Sequence, residues 1–376
     1  MKYYTLIILI IIYISNVNSQ SISIGEKIQI YSTHLNEERE ILIHLPDSYL
    51  SIDFKDNQYP VLYVLDGERL FNQTVTIVDA LSKGLYRYLP EMIVVGIINT
   101  DRSRDLTPSN DTILHNNIPI HSNSGGAESF RYFLESELGN YINLHYRTNG
   151  FNILSGHSFG GLFTIYSFLN QSNFFSTYLA HDPSLWWDNQ SLIENMEDSW
   201  SKISFDTTSL YLSVAAKDTI EKDRFNHTES ILKFQQFIDE HPKNSLYFKS
   251  EYFGNEDHGT ITIPATFNGL RAIFSGITLP VKKIPFDTSL IEETYVQLSN
   301  RLGNNFLPES NLLDDLAKYC KKVKQYQAEL EIRKMHVRYY PNSSYAHSAL
   351  AEYYYRHNMK DLGDKHKEIS TLQKQP

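Results

Sequence analysis

From about residue 25 to residue 275, continuous apolar runs of strand length alternate with segments of helical periodicity. Residues 28–31 and 39–45 predict two strands joined by a polar turn at residues 36–38. Residues 59–65 and 92–98 are unbroken apolar runs, the pattern of strands buried on both faces of a parallel sheet. Residues 151–154, 178–180, 210–215 and 246–253 add four more strands. Helical periodicity over residues 75–85, 127–141, 162–169, 230–240 and 263–274 separates most of these runs. The alternation predicts an α/β fold built on a doubly wound, mostly parallel sheet. Residues 99–126 are polar and too long for an ordinary connection, and so predict an active-site loop.

The pattern changes after residue 279. Residues 280–288 carry two prolines and no periodicity, which predicts an extended linker. Residues 289–303, 310–323, 325–339 and 344–356 are helical in period, and a fifth helix begins near Lys360. Small and aromatic residues there (Ala328, Ala346, Leu350, Ala351, Tyr354) are spaced as in tetratricopeptide helix pairs; a plain helical bundle is the alternative.

The N-terminus has a different character. Lys2 is the only charge before Glu26, residues 6–14 are apolar, and small residues at 17–19 precede Gln20. This is the pattern of a cleaved secretory signal peptide and is too short for a membrane span. The expected plan is therefore a signal peptide at 1–19, an α/β domain at 20–279, a linker at 280–288 and a helical region at 289–376. The mature chain is expected to be secreted or periplasmic, with no stable membrane insertion.

Composition narrows the function classes. Of 376 residues, 41% are hydrophobic and 13% aromatic, enough for a large core. A formal net charge of −10 argues against a nucleic-acid partner. Cys320 is the single cysteine, so no internal disulfide forms, and its amphipathic setting predicts a buried small hydrophobe. The sequence contains neither a His-x-x-x-His pair nor a cysteine cluster, and no glycine-rich phosphate loop, so no metal or cofactor is expected.

The chemistry concentrates at Gly156-His157-Ser158-Phe159-Gly160. An apolar strand leads in and an apolar helix leads out, the context of a nucleophile elbow. A serine hydroxyl needs a histidine base, and the resulting imidazolium needs an acid partner. The chain order Ser, acid, His places both after Ser158. His258, in the loop after the last strand, is the expected base. Asp218, after the preceding strand, is the expected acid, with Glu221 or Asp223 as substitutes, or a Ser–His pair alone. His181 follows a strand too early for this order and is expected to be structural. The Phe159 N–H, together with an N–H from Glu68 or Arg69, is expected to hold the oxyanion. Arg102 and Arg104 are expected either to clamp an anionic group or to form ion pairs. Trp186 and Trp187 could wall a pocket, but in an extended segment adjacent residues point opposite ways, so one belongs to the core.

These segments resemble the putative-esterase family of α/β-hydrolases, which includes enterochelin-esterase-like and S-formylglutathione-hydrolase-like proteins. The resemblance is carried by residues 59–67, 95–97, 102–108, the elbow, 183–188 and 257–259. It implies carboxylic-ester hydrolysis with Ser158 and His258 as the core pair, on a small-molecule or polysaccharide-linked ester. The family's acid is often a glutamate after Val-Gly; here Val214-Ala215-Ala216-Lys217-Asp218 departs from it. Helical tails occur in exported bacterial members, which supports two domains. The rival readings are a non-catalytic scaffold, with a protein partner at the helical tail, and an acyltransferase.

Overall fold

The computed structural model describes residues 23–373, apart from 111–113, 116–117, 120–122, 195, 197–199 and 216–225. The expected signal peptide lies outside the described residues. Eight strands form one sheet: β1 (Glu26–Ser32), β2 (Glu37–His44), β3 (Tyr59–Val64), β4 (Ile93–Ile97), β5 (Thr148–His157), β6 (Thr177–His181), β7 (Thr208–Ala215) and β8 (Leu246–Phe253). Their spatial order is β1-β2-β4-β3-β5-β6-β7-β8. Strand β2 pairs antiparallel with both β1 and β4, and every other pairing is parallel.

The apolar runs explain the layers. In β3, Val61 and Tyr63 enter the core on one face, while Leu62 and Val64 enter the core on the other. All six residues of β3 are buried, as expected of a strand with helices on both sides. The helices that position the site are α1 (Gly67–Ser82), α2 (Arg102–Leu106), α4 (Phe159–Leu169), α5 (His227–Glu240) and α6 (Thr262–Ile273), with α3 (Ala127–Tyr132) between α2 and α4. Helix α1 begins eight residues before the expected one, because Asp66 adopts a left-handed backbone and turns the chain straight from β3 into the helix. The expected long loop after β4 contains the helical turn α2.

The tail is helical as expected: α7 (Ser289–Leu302), α8 (Ser310–Lys322), α9 (Tyr326–Tyr339), α10 (Ser344–Arg356) and α11 (Lys360–Leu372). The segment before it differs from an extended linker. Leu279, Val281 and Ile284 are buried, and turns close it through Lys283 N–H to Pro280 O (2.7 Å) and Asp287 N–H to Lys283 O (3.0 Å). The two prolines set tight turns here, and the apolar residues between them fall onto the core. Ile291, Leu298, Leu312 and Leu316 of the tail share one apolar cluster with Leu62, Val64 and Val94 of the sheet. No described helix is long and apolar enough to cross a membrane.

Candidate active site

Strand β5 ends in the elbow. Ser158 takes φ 61° and ψ −116°, a strained conformation for a residue with a side chain. A Cβ on residue 156 would lie 2.2 Å from Gly160 O, and one on residue 161 would lie 2.9 Å from Pro183 Cα, so both positions require glycine. The strain is held by neighbours. Ser158 N–H donates to His181 O (3.1 Å), and Ser158 O accepts from Leu162 N–H (2.9 Å) and Ser184 N–H (3.0 Å). The Ser184 hydroxyl, itself buried, lies 3.2 Å from the Ser158 Oγ.

Three strand ends bring the reacting groups together. His258, in the loop after β8, places Nε2 3.0 Å from Ser158 Oγ and Nδ1 2.6 Å from Asp182 Oδ2. Asp182 follows β6 directly. Its N–H donates to Ser213 O (2.8 Å), and its Oδ1 accepts from Ala215 N–H (2.9 Å). His227 Nε2 donates to the same Oδ2 at 3.0 Å. Burial pushes the Asp182 carboxyl upward, but the hydrogen bonds from His227 and His258 outweigh it and hold the group well below the usual carboxylate range. Asp257, next to the histidine, spends one carboxylate oxygen on Gly259 N–H and Thr260 N–H (2.9 Å each), which shapes the turn that presents His258.

The expected acid, Asp218, lies outside the described residues, as do Glu221 and Asp223. The structure places Asp182 against His258 instead. The β6–β7 register pairs His181 with Ser213, so the residue after β6 sits level with the end of β7. The signal for Asp182 in the sequence was His181-Asp182-Pro183 at a strand end, in keeping with the order Ser, acid, His, but the acid was expected one strand later.

The other histidines serve the frame. His181 is buried between Ser213 Oγ (3.1 Å) and Thr266 Oγ1 (3.3 Å), and burial pushes its pKa down to about 3. His157 accepts a hydrogen bond from Arg69 Nη2 at Nδ1 (2.7 Å). Its ring centroid lies 4.5 Å from that of His258. Burial, then the neighbouring His258 and Arg69 charges, push it to about 3, so His157 is neutral.

The expected oxyanion donors head two helices. Phe159 is the first residue of α4, directly after Ser158. Helix α1 begins at Gly67, so the amides of Gly67 and Glu68 belong to its open first turn. The Arg69 amide is bonded to Asp66 O (3.0 Å), which leaves Glu68 of the two expected donors. The Glu68 carboxylate turns away to the Asn99 N–H (3.2 Å) and side chain (2.7 Å).

Both arginines of the expected substrate clamp meet carboxylates. Arg102 donates to Asp66 through Nε (2.5 Å) and Nη2 (2.9 Å) and lies over the Phe159 ring (5.3 Å). It therefore ties the turn between β3 and α1 to the elbow helix. Arg104 donates to both Glu37 oxygens (2.6 and 3.0 Å) and to Asp105 (2.7 Å). The two tryptophans differ in burial. Trp187 is buried, with Nε1 donating to Ser109 Oγ (3.2 Å), while half-buried Trp186 flanks the Phe159 ring at 6.1 Å.

Among the described residues, Asp182, His227 and His258 are the one cluster whose ligating atoms lie within 4.8 Å of one another. Their nearest atoms are already paired in the hydrogen bonds above.

A serine elbow after β5, with its histidine after β8, on a sheet of this order defines an α/β-hydrolase. The chain belongs to the family described as Putative esterase, whose model matches residues 32–258. It is 26% identical over 246 residues to the siderophore enterobactin esterase of Emericella nidulans, covering 56% of this chain and 80% of that protein. It is 34% identical over 143 residues to the apo-salmochelin esterase of Escherichia coli, covering 34% and 42% of the two chains. The crystal structure of an IroE-like serine hydrolase from Shewanella oneidensis superimposes with a TM-score of 0.77 at 29% identity, covering 84% of this chain and 99% of that one. The chain is thus an esterase of the α/β-hydrolase fold, with a helical C-terminal region.

Proposed function

We propose that the chain is an exported serine esterase that works through an acyl-enzyme and acts on ester-linked siderophores. One observation carries the mechanism: on a strained elbow, Ser158 Oγ lies 3.0 Å from His258 Nε2, whose Nδ1 lies 2.6 Å from buried Asp182. Ser158 Oγ forms a bond to the ester carbonyl carbon as its proton passes to His258 Nε2. Asp182 holds Nδ1–H and offsets the imidazolium charge. The N–H groups of Phe159 and Glu68 receive the oxyanion. The ester C–O bond then breaks, and the alkoxide leaves with the proton from His258. Water repeats the sequence on the acyl-enzyme and releases the acid.

The names of the two curated relatives support the substrate class, a small molecule held by ester bonds. Residues 1–19 support export. A scaffold protein would have no use for a strained serine already bonded to a histidine, so the catalytic reading stands above the binding one. The test compares wild type with Ser158→Ala on p-nitrophenyl acetate and on a catecholate trilactone. Ser158→Ala should lose on the order of 10⁴-fold or more in kcat. Equal rates would end the esterase mechanism; turnover of the acetate but never of the trilactone would end the substrate assignment.

A further inference from the structure

Asp182 Oδ2 receives two imidazoles. His258 Nδ1 stands 2.6 Å away and His227 Nε2 3.0 Å, while the other oxygen takes the Ala215 amide. His227 is the first residue of α5, and its ring meets that of His258 edge-on, with centroids 5.1 Å apart at 90°. We infer that His227 is a positioning residue of the reaction: it fixes the Asp182 carboxylate and moderates how strongly that carboxylate draws a proton onto His258. The inference rests on the esterase reading above.

The physical argument concerns one oxygen with two claims on it. A buried carboxylate held by a single histidine could turn about its last side-chain bond and lose alignment. With Ala215 on one oxygen and two imidazoles on the other, that rotation breaks three hydrogen bonds at once. The second imidazole also draws charge from the oxygen that stabilises imidazolium on His258. Removing that second imidazole should therefore strengthen the hold of the Asp182 carboxylate on the His258 proton.

The remaining groups around His258 do not duplicate this role. His157 lies against its ring from β5 with Arg69 of α1 on its Nδ1, and is neutral. His181 at the end of β6 is neutral and bonded to Ser213 and Thr266. Asp257 and Glu256 share the His258 loop, and Asp257 is committed to its turn. Glu229 lies in the first turn of α5. Among the described residues, the side chains hydrogen-bonded to Asp182 are those of His258 and His227.

The experiment is a pH profile of kcat/KM on p-nitrophenyl acetate, whose acid limb reports the free enzyme's base. His227→Leu should move that limb upward by roughly half a unit to one unit and lower the plateau on the order of tenfold. His227→Phe preserves ring volume and carries the same expectation should the leucine variant misfold. His227→Gln, which keeps an N–H at the reach of Nε2, should return the limb toward wild type. A lowered plateau with an unmoved limb would reduce His227 to packing and overturn the inference, as would a glutamine variant no better than leucine. Failure of the esterase reading looks different: wild type itself would show no Ser158-dependent turnover.

Discussion

Asp182 is the residue on which the site's electrostatics turn. It is buried, ionised, and shared between His258 and His227. Asp182→Asn keeps the shape but presents an N–H or a weaker acceptor to His258, which favours the wrong tautomer. The expected loss in kcat is about 10⁴-fold, measured at saturating p-nitrophenyl acetate. A rate near wild type would move the acid to the undescribed segment that holds Asp218. The lowered carboxyl also sets a pH dependence. Its folded pKa lies below the unfolded value of about 3.9, so the stabilisation is complete above that value and is lost as pH falls through the folded one. The difference in thermal midpoint between wild type and Asp182→Asn should therefore shrink steadily as pH falls from 5 to 2. Much of this geometry was legible in the sequence. Ser158 sits in a contiguous motif, and His258 follows the last strand before the last α/β helix. Asp182 was not legible, because its place against His258 depends on the register of β6 beside β7 and not on order along the chain.

At the scale of elements, the turn between β3 and α1 and the elbow between β5 and α4 form one rigid unit. Arg102 joins them: its guanidinium grips Asp66 at the head of α1 and covers the Phe159 ring at the head of α4. Burial pushes the Asp66 carboxyl up, but Arg102 outweighs it and holds the group below its ordinary value. Arg102→Ala leaves this carboxylate buried with Asn99 as its remaining side-chain partner among the described residues. The Arg102 side chain is 33% exposed, so the cost is set near that of one charged hydrogen bond, about 1–3 kcal/mol. Thermal or urea unfolding would show it. Because the oxyanion turn loses its anchor, kcat should fall about tenfold or more with KM nearly unchanged. A rise in KM alone would restore the substrate-clamp reading. The sequence placed Arg102 in the right loop, but its partner lies 36 residues earlier at the end of β3, and the pairing depends on β3 lying beside β4.

At the scale of the whole molecule, the helical tail is fastened to the hydrolase as part of its core. Glu309, at the head of α8, is buried, accepts from the Tyr295 hydroxyl (2.8 Å) and the Glu91 amide (3.2 Å), and forms an ion pair with Arg87 (3.2 Å). Ser310 N–H donates to Asn57 Oδ1 (3.0 Å), and Asn311 donates to Glu91 (3.0 Å). Around these polar contacts, Leu312 and Leu316 share the apolar cluster of β3 and β4. The helical periodicity after residue 289 was plain in the sequence. The docking was not, because Leu279, Val281 and Ile284 show no periodicity and are buried by the fold around them. Burial on this scale makes the tail and the sheet one cooperative unit, so the chain should unfold in a single calorimetric transition. Glu309→Ala strands the charge of Arg87, which is 3% exposed, and two donors lose their acceptor with it. Removing one partner of a buried pair costs about 3–5 kcal/mol, and the whole transition should move down by several degrees without splitting. A second transition, with the esterase melting unchanged while the tail melts early, would show the two parts to be independent domains. In that case activity on p-nitrophenyl acetate would survive heating past the first transition; in a single cooperative unit it disappears with it.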